Sequence, residues 1–203
     1  EGNQLPYIDR IFFEIKSREL IPIAMANGEV SMQLRYLSSE NYSQLMANRE
    51  DYHYEVYNWL SGTGSEFAIW PNLNRIVEPQ NPTSAYKAEL LQNRDFRRAL
   101  SLGIDREDII HSYYAGQGEP AQLAPPAYSP FYKEAFSKAY VEHDPARANK
   151  LLDRIGLTQR DPEGYRTFPD GSTMTWFLDY MELTGAGPLE LVVEHWQDIG
   201  IRA

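Results

Sequence analysis

Three groups of side chains have the types that recognition chemistry uses. Trp70, Asn72 and Asn74 bring an indole and two amides to the end of a predicted strand. An exposed indole beside amides suits a peptide or sugar ligand, since one face is apolar and the neighbouring groups donate and accept hydrogen bonds. The plainer alternative is a loop turn with a packed tryptophan. Gln122, Pro125, Pro126 and Tyr128 form a second group, in which the prolines lower the entropic cost of ordering a binding wall; a simple connection has the same composition. Asp179 stands at the end of another predicted strand and can accept a hydrogen bond from a ligand amine or hydroxyl, although a strand-end carboxylate is commonplace.

Signals for covalent or metal chemistry are weaker. His53, His111, His143 and His195 lie in different elements without the paired helical spacing of a zinc site. Gly116-Gln117-Gly118 lacks the third glycine of a dinucleotide loop, and Gly62-Thr63-Gly64-Ser65 lacks the lysine of a phosphate loop. Arg97, Arg98 and Arg106 flank apolar helix positions beside Asp95, Asp105 and Asp108, so they are read as paired or solvated. A hydrolase using Glu182 and Asp179 would need two opposed acids at fixed separation. The expectation is therefore no catalytic residue, no cofactor and no metal.

The chain has 203 residues, 42% of them hydrophobic, enough for one substantial core or two small ones. With 29 acidic against 19 basic residues, its formal charge of -10 repels a phosphate backbone, which argues against nucleic acid as a partner. The absence of cysteine excludes thiol catalysis and disulfides while leaving the redox compartment open. No apolar stretch approaches the about 20 residues a membrane span needs, and Glu1 to Gln4 does not resemble a signal peptide.

The elements that position these groups follow from periodicity. Asp9 to Lys16 alternates as a strand does; Ser17 can cap a helix carrying Ile21, Ala24 and Met25 before Gly28; and a strand follows near Val30 to Leu34. A short helix with Tyr42, Leu45 and Met46 leads to Tyr52–Trp59, rich in aromatic and β-branched residues, which is expected to pair as a hairpin with Glu66–Trp70 around Gly62 and Gly64. The stretch with Pro79, Asn81 and Pro82 reads as a surface loop. Helices are then predicted around Phe96, Ala99 and Leu100, from the Asp105 cap with Asp108 imitating a capping box, from Asp144-Pro145 to Gly156, and from about Pro188 to Gly200. Tyr165–Phe168 and Thr173–Leu178 flank Pro169-Asp170-Gly171-Ser172 as a β-hairpin, and a further strand begins at Ile201. The mixed order favours an α/β or α+β lobe whose mixed sheet is flanked by helices.

Four segments, in order, resemble bacterial extracellular solute-binding proteins of family 5: Leu5-Pro6-Tyr7-Ile8-Asp9-Arg10-Ile11; Met25-Ala26-Asn27-Gly28-Glu29-Val30; Phe96-Arg97-Arg98-Ala99-Leu100-Ser101-Leu102-Gly103-Ile104-Asp105-Arg106; and Asp144-Pro145, then Asp170-Gly171, then a helix ending in Asp198-Ile199-Gly200-Ile201. Each alone is explained by caps, turns and core faces; the ordered set spans nearly the whole chain. Two departures bear on ligand class: Ser31 stands where the family usually has aspartate, and the interval between Trp70 and Phe96 is longer than usual.

The resemblance implies a periplasmic binding protein-like class II fold, with residues 1–16 as an interlobe crossing strand and 17–203 as part of the second lobe, truncated before its C-terminal part. It implies capture of a small peptide, or alternatively an oligosaccharide, between two lobes and delivery to ABC permease subunits. It further implies a periplasmic or extracytoplasmic location, peripheral to the membrane through the permease or a lipid anchor outside this chain, and a full-length monomer. By the same comparison an aromatic and an asparagine lie near the cleft at Trp70, Asn72 and Asn74, and Asp179 and Tyr180 mark the surviving cleft edge.

Overall fold

The computed structural model describes Gly2 and residues 4–59, 64–181 and 186–203. The expected turn at Gly62, the Gly62-Thr63 pair, the carboxylate Glu182, and Glu1 and Asn3 lie outside the described residues. The chain forms two compact units, Glu1–Asn58 and Trp59–Ala203.

In the first unit, α1 (Leu20–Ala26) and α2 (Tyr42–Asn48), the latter entered through a 3₁₀ turn at Ser39–Asn41, pack together over Ala24, Ala26 and Leu45. Pro22 is tolerated in α1 because it falls in the first turn, where backbone N–H groups have no helical partner. The N-cap is Glu19 rather than Ser17, whose carbonyl instead accepts from Leu20 N at 3.1 Å. The Asn48 amide donates to the Ala26 carbonyl and the Tyr54 hydroxyl to the Leu45 carbonyl, at 3.4 and 2.6 Å, tying the two helices and the chain beyond them.

The second unit carries the principal core. Its helices are α3 (Pro82–Gln92), α4 (Arg94–Leu102), α5 (Arg106–Tyr113), the single turn α6 (Glu134–Ser137), α7 (Pro145–Arg154) and α8 (Gly187–Asp198). Side-chain oxygens stop four of them at their first turn. Asn81 accepts from Thr83 N, Asn93 from Asp95 N and Phe96 N, Asp105 from Asp108 N, and Asp144 from Arg147 N. At α5 the reciprocal half of the expected capping box is supplied from elsewhere: Asp105 N donates to His195 Nδ1 at 3.3 Å, while the Asp108 carboxylate meets His195 Nε2 at 3.1 Å. One imidazole thereby clamps α5 to α8.

Phe96, Ala99 and Leu102 recur on one face of α4 and are fully buried, mainly against Ala148, Leu151 and Leu152 of α7. Burying a side chain the size of Phe96 or Leu102 contributes about 1.5–3 kcal/mol. Phe96 meets Trp176 at 5.1 Å between ring centroids, and Tyr86 of α3 stacks on Phe168 at 5.3 Å. Gly103 ends α4 where a Cβ would stand 2.7 Å from Ile199 Cδ1, so any larger residue there would have to displace the Ile199 side chain.

The mixed sheet expected from the sequence is not observed. Among the described residues there are only isolated bridges: Arg160 with Arg166 and Thr167 with Thr173, both antiparallel, and Thr175 with Arg202, parallel. The Asp170-Gly171 turn does form, with Gly171 N donating to Phe168 O and Phe168 N to Ser172 O, yet the pairing stops after one bridge. The segment from Ile201 turns parallel to residues 173–178 through Trp176 N to Arg202 O at 2.9 Å, again as a single bridge. Residues 9–16 run outside any helix or strand with Phe13 and Ile15 almost wholly exposed. Alternation dictates an extended backbone, but a strand exists only where a neighbour takes its hydrogen bonds, and among the described residues no such neighbour is found. The hairpin expected between 52–59 and 66–70 is also absent, and His53 at φ 56° breaks the extended path of its first arm. Conversely, α3 occupies the stretch read as a loop, because Asn81-Pro82 starts a helix there.

Candidate ligand groove

An open groove of about 680 Å³ lies in the second unit. Two segments without regular structure, 65–72 and 176–181, form much of it, with Arg75 from the loop before α3, Lys87 and Leu91 of α3, Leu100 of α4, and Leu189 and Trp196 of α8. Gly64 sets the entry of the first segment: its φ is +80° and a Cβ would stand 2.6 Å from the Ala124 carbonyl, so backbone conformation and space both demand glycine. The second segment leaves the Thr167–Thr173 turn and is anchored by the parallel bridge to Arg202. Trp196 is held in place by its indole N–H, which donates to the Leu100 carbonyl at 2.9 Å.

The lining is aromatic with charges at fixed places. Trp70 and Phe177 are largely exposed while Trp176 is buried. The Lys87 ammonium sits 5.6 Å from the centroid of the Trp176 ring and 5.2 Å from that of Phe177, within cation–π range. Burial, and then the positive charge of Arg75, push the Lys87 pKa below its ordinary value. Arg75 Nε and Trp176 Nε1 are both buried without an acceptor. Glu66 and Asp179 bring the carboxylates.

Four of the sequence-predicted residues, Trp70, Asn72, Asp179 and Tyr180, converge on this groove. Three do not line it. The backbone of Asn74 donates to Asn72 Oδ1 at 3.1 Å, making a local turn. The Gln122 amide donates to Ser101 Oγ at 2.8 Å and to the Ala139 carbonyl at 2.9 Å, holding the proline-rich loop against α4. Tyr128 projects from that loop, largely exposed. Sequence reasoning missed Arg75, Lys87, Trp176 and Phe177; the alternation of 173–178 carried a signal for the last two, and the Asn81-Pro82 cap for Lys87.

His111 and His143, and the arginines of α4 and α5 singled out by the sequence, have structural partners. His143 meets Asp105 at 3.1 Å and His111 Nδ1 lies 2.8 Å from the Glu107 carbonyl. Arg97 donates to the Leu91 carbonyl, Arg98 to Asp95, and Arg106 to the Ser101 carbonyl and hydroxyl rather than to Asp105 or Asp108. Among the described residues no group of three or more histidine or acidic side chains is arranged to hold a metal ion, and no helix is long and apolar enough to cross a membrane.

The sequence model for the middle region of bacterial extracellular solute-binding proteins, family 5, matches residues 2–203. This chain belongs to that family. The family 5 chain is similar to a probable ABC transporter-binding protein of Deinococcus radiodurans, 23% identical over 184 residues that make up 87% of this chain and 29% of that protein. It is also similar to the periplasmic alpha-galactoside-binding protein of Rhizobium meliloti, 25% identical over 183 residues, 84% of this chain and 24% of that one. Among solved structures, an oligopeptide-binding protein OppA superposes with a TM-score of 0.60 at 30% identity, covering 93% of this chain and 29% of OppA. The chain thus spans less than a third of the length of these relatives.

Proposed function

We propose that this chain is part of the second lobe of an extracytoplasmic solute-binding component of an ABC importer, which captures a peptide-like ligand between two lobes and delivers it to the permease. The observation that carries the reading is the groove: a partly open, aromatic-lined cavity with a few charged and amide groups, the form taken by sites that enclose a small solute without covalent chemistry. Residues 1–16 then serve as the crossing strand, with ladder partners in the parts of the protein beyond this chain, which accounts for apolar side chains as exposed as Phe13 and Ile15. Trp70, Asn72, Asp179 and Tyr180 contact the ligand from this lobe, and closure of the other lobe completes the enclosure and presents a surface to the permease. The full-length protein acts as a monomer outside the cytoplasm, held near the membrane by the permease or a lipid anchor.

An oligosaccharide ligand is the second reading. It is favoured by the exposed rings of Trp70 and Phe177, suited to stacking on sugar faces, and by similarity to an alpha-galactoside-binding protein. Thermal unfolding of the full-length protein against short peptides and oligosaccharides separates the two. A ligand present at a hundred times its Kd stabilises the folded state by about 2.7 kcal/mol. Stabilisation by peptides supports the first reading, stabilisation by oligosaccharides alone replaces it with the second, and stabilisation by neither refutes both.

A further inference from the structure

We infer that Arg75 and Lys87 form an anion subsite within the groove, where the carboxylate of a peptide-like solute is held beside the rings of Trp176 and Phe177; this rests on the peptide reading above. Both cations line the same cavity. Neither has a carboxylate within 4 Å among the described residues, although Glu66 and Asp179 line the groove with them. Three other arginines of the unit give donors to protein acceptors: Arg97 to Leu91 O, Arg106 to Ser101, and Arg166 to Ile199 O and Asp153. Arg75 instead leaves a buried Nε without an acceptor, and the indole nitrogen of Trp176, a side chain 9% exposed, is left in the same condition.

Buried donors are ordinarily satisfied, and exceptions call for an explanation. Among the described residues Thr167 Oγ1 and Arg202 Nε are exceptions elsewhere, whereas Arg75 Nε and Trp176 Nε1 are both donors and fall in one groove. Guanidinium, ammonium and indole N–H donate and cannot accept, so the partner that completes them is an acceptor. Two like charges brought together in a partly buried place also need a counter-charge, and the depressed Lys87 pKa records that need. A carboxylate supplies both, since its two oxygens match the arginine fork while the lysine acts as a point charge. The neutral hydroxyls of a sugar supply acceptors but not the charge. The aromatic rings close the subsite on the apolar side, where Lys87 already lies against them.

The test is isothermal titration of the full-length protein with a tripeptide library bearing free C-terminal carboxyls and with the same library amidated. Loss of one charge-assisted contact weakens binding about ten- to hundredfold, and that is the expected effect of amidation. Lys87→Met, which keeps the aliphatic stem against the rings, and Arg75→Gln should each weaken the free-acid library to the same extent and bring it level with the amides, whereas Lys87→Arg should retain the preference. If a variant does not fold, the comparison of acid with amide on the unaltered protein decides the matter. Equal affinity for acid and amide overturns the subsite and leaves the peptide reading intact. Binding of neutral oligosaccharides alone, or of neither library, overturns both.

Discussion

Arg166 is 2% exposed, and its guanidinium joins three parts of the second unit. Nε donates to the Ile199 carbonyl at 2.9 Å, Nη2 to Asn149 Oδ1 at 2.6 Å, and Nη1 to both the Leu157 carbonyl and Asp153 Oδ1. Replacement by methionine fills most of the space and removes every donor. The partners then lose different amounts. Asn149 keeps a bond from Arg160 Nη2 at 3.0 Å, and the Asp153 side chain is 54% exposed, so water replaces what it loses. The carbonyls of Ile199 and Leu157 belong to buried residues and are stranded, each at about 1–3 kcal/mol. After a small gain from the buried thioether, Arg166→Met should cost about 3–4 kcal/mol, within the range for removing one member of a buried charged network, whereas Asp153→Ala should cost no more than about 1 kcal/mol. Urea unfolding followed by tryptophan fluorescence measures both, since Trp176 and Trp196 lie in the same core. If Arg166→Met costs less than about 1 kcal/mol, or Asp153→Ala costs as much as Arg166→Met, the stabilisation does not come from the buried carbonyls and the reasoning fails.

Three further outcomes can be checked on the same protein. Trp196→Phe keeps the ring and removes the N–H that serves the Leu100 carbonyl, so unfolding should become easier by about 1–2 kcal/mol; no change would mean that water reaches that carbonyl. Asn81→Ala removes the oxygen that accepts from Thr83 N and should cost about 1 kcal/mol, visible as faster amide exchange confined to the first turn of α3. The Ser112 hydroxyl, and then His195, hold the Asp108 carboxyl below the usual carboxylate range. Its folded pKa is therefore lower than its unfolded one, and its contribution is complete above the unfolded value and lost as pH falls through the folded value. Asp108→Asn should accordingly flatten the acid limb of a stability–pH curve below roughly pH 4; an unchanged limb would assign acid sensitivity to other carboxyls.

The helices were legible where two independent signals coincided. α7 has an aspartate cap, a proline in its first turn and the recurrence of Ala148, Leu151 and Leu152, all of which act within the helix itself. α3 offers the same opening in Asn81-Pro82, but its apolar residues Ala85, Tyr86, Ala88, Leu90 and Leu91 form no single stripe, so the cap stands alone and has the composition of a loop. Strands failed for a different reason. The alternation of residues 9–16 constrains backbone shape, whereas a ladder depends on a partner at unspecified distance along the chain, and periodicity carries nothing about that partner.

The groove divides along the same line. Trp70, Asn72, Asp179 and Tyr180 are singled out by the sequence because a segment end with aromatic and polar groups is a local property, and all four line one cavity. Gln122 has the same local character, yet its amide is committed to Ser101 and Ala139, 21 and 17 residues away, and only the fold reveals that commitment. Lys87 is the inverse case. On a helix that was not foreseen, it looks like an ordinary solvated lysine until α3 brings it against Trp176 and Phe177 and beside Arg75. Residue type indicates what a side chain can bind; whether its capacity is already used by the protein is decided by contacts distant in sequence. The unspent donors of Arg75, Lys87 and Trp176 are therefore the more specific pointer to the ligand.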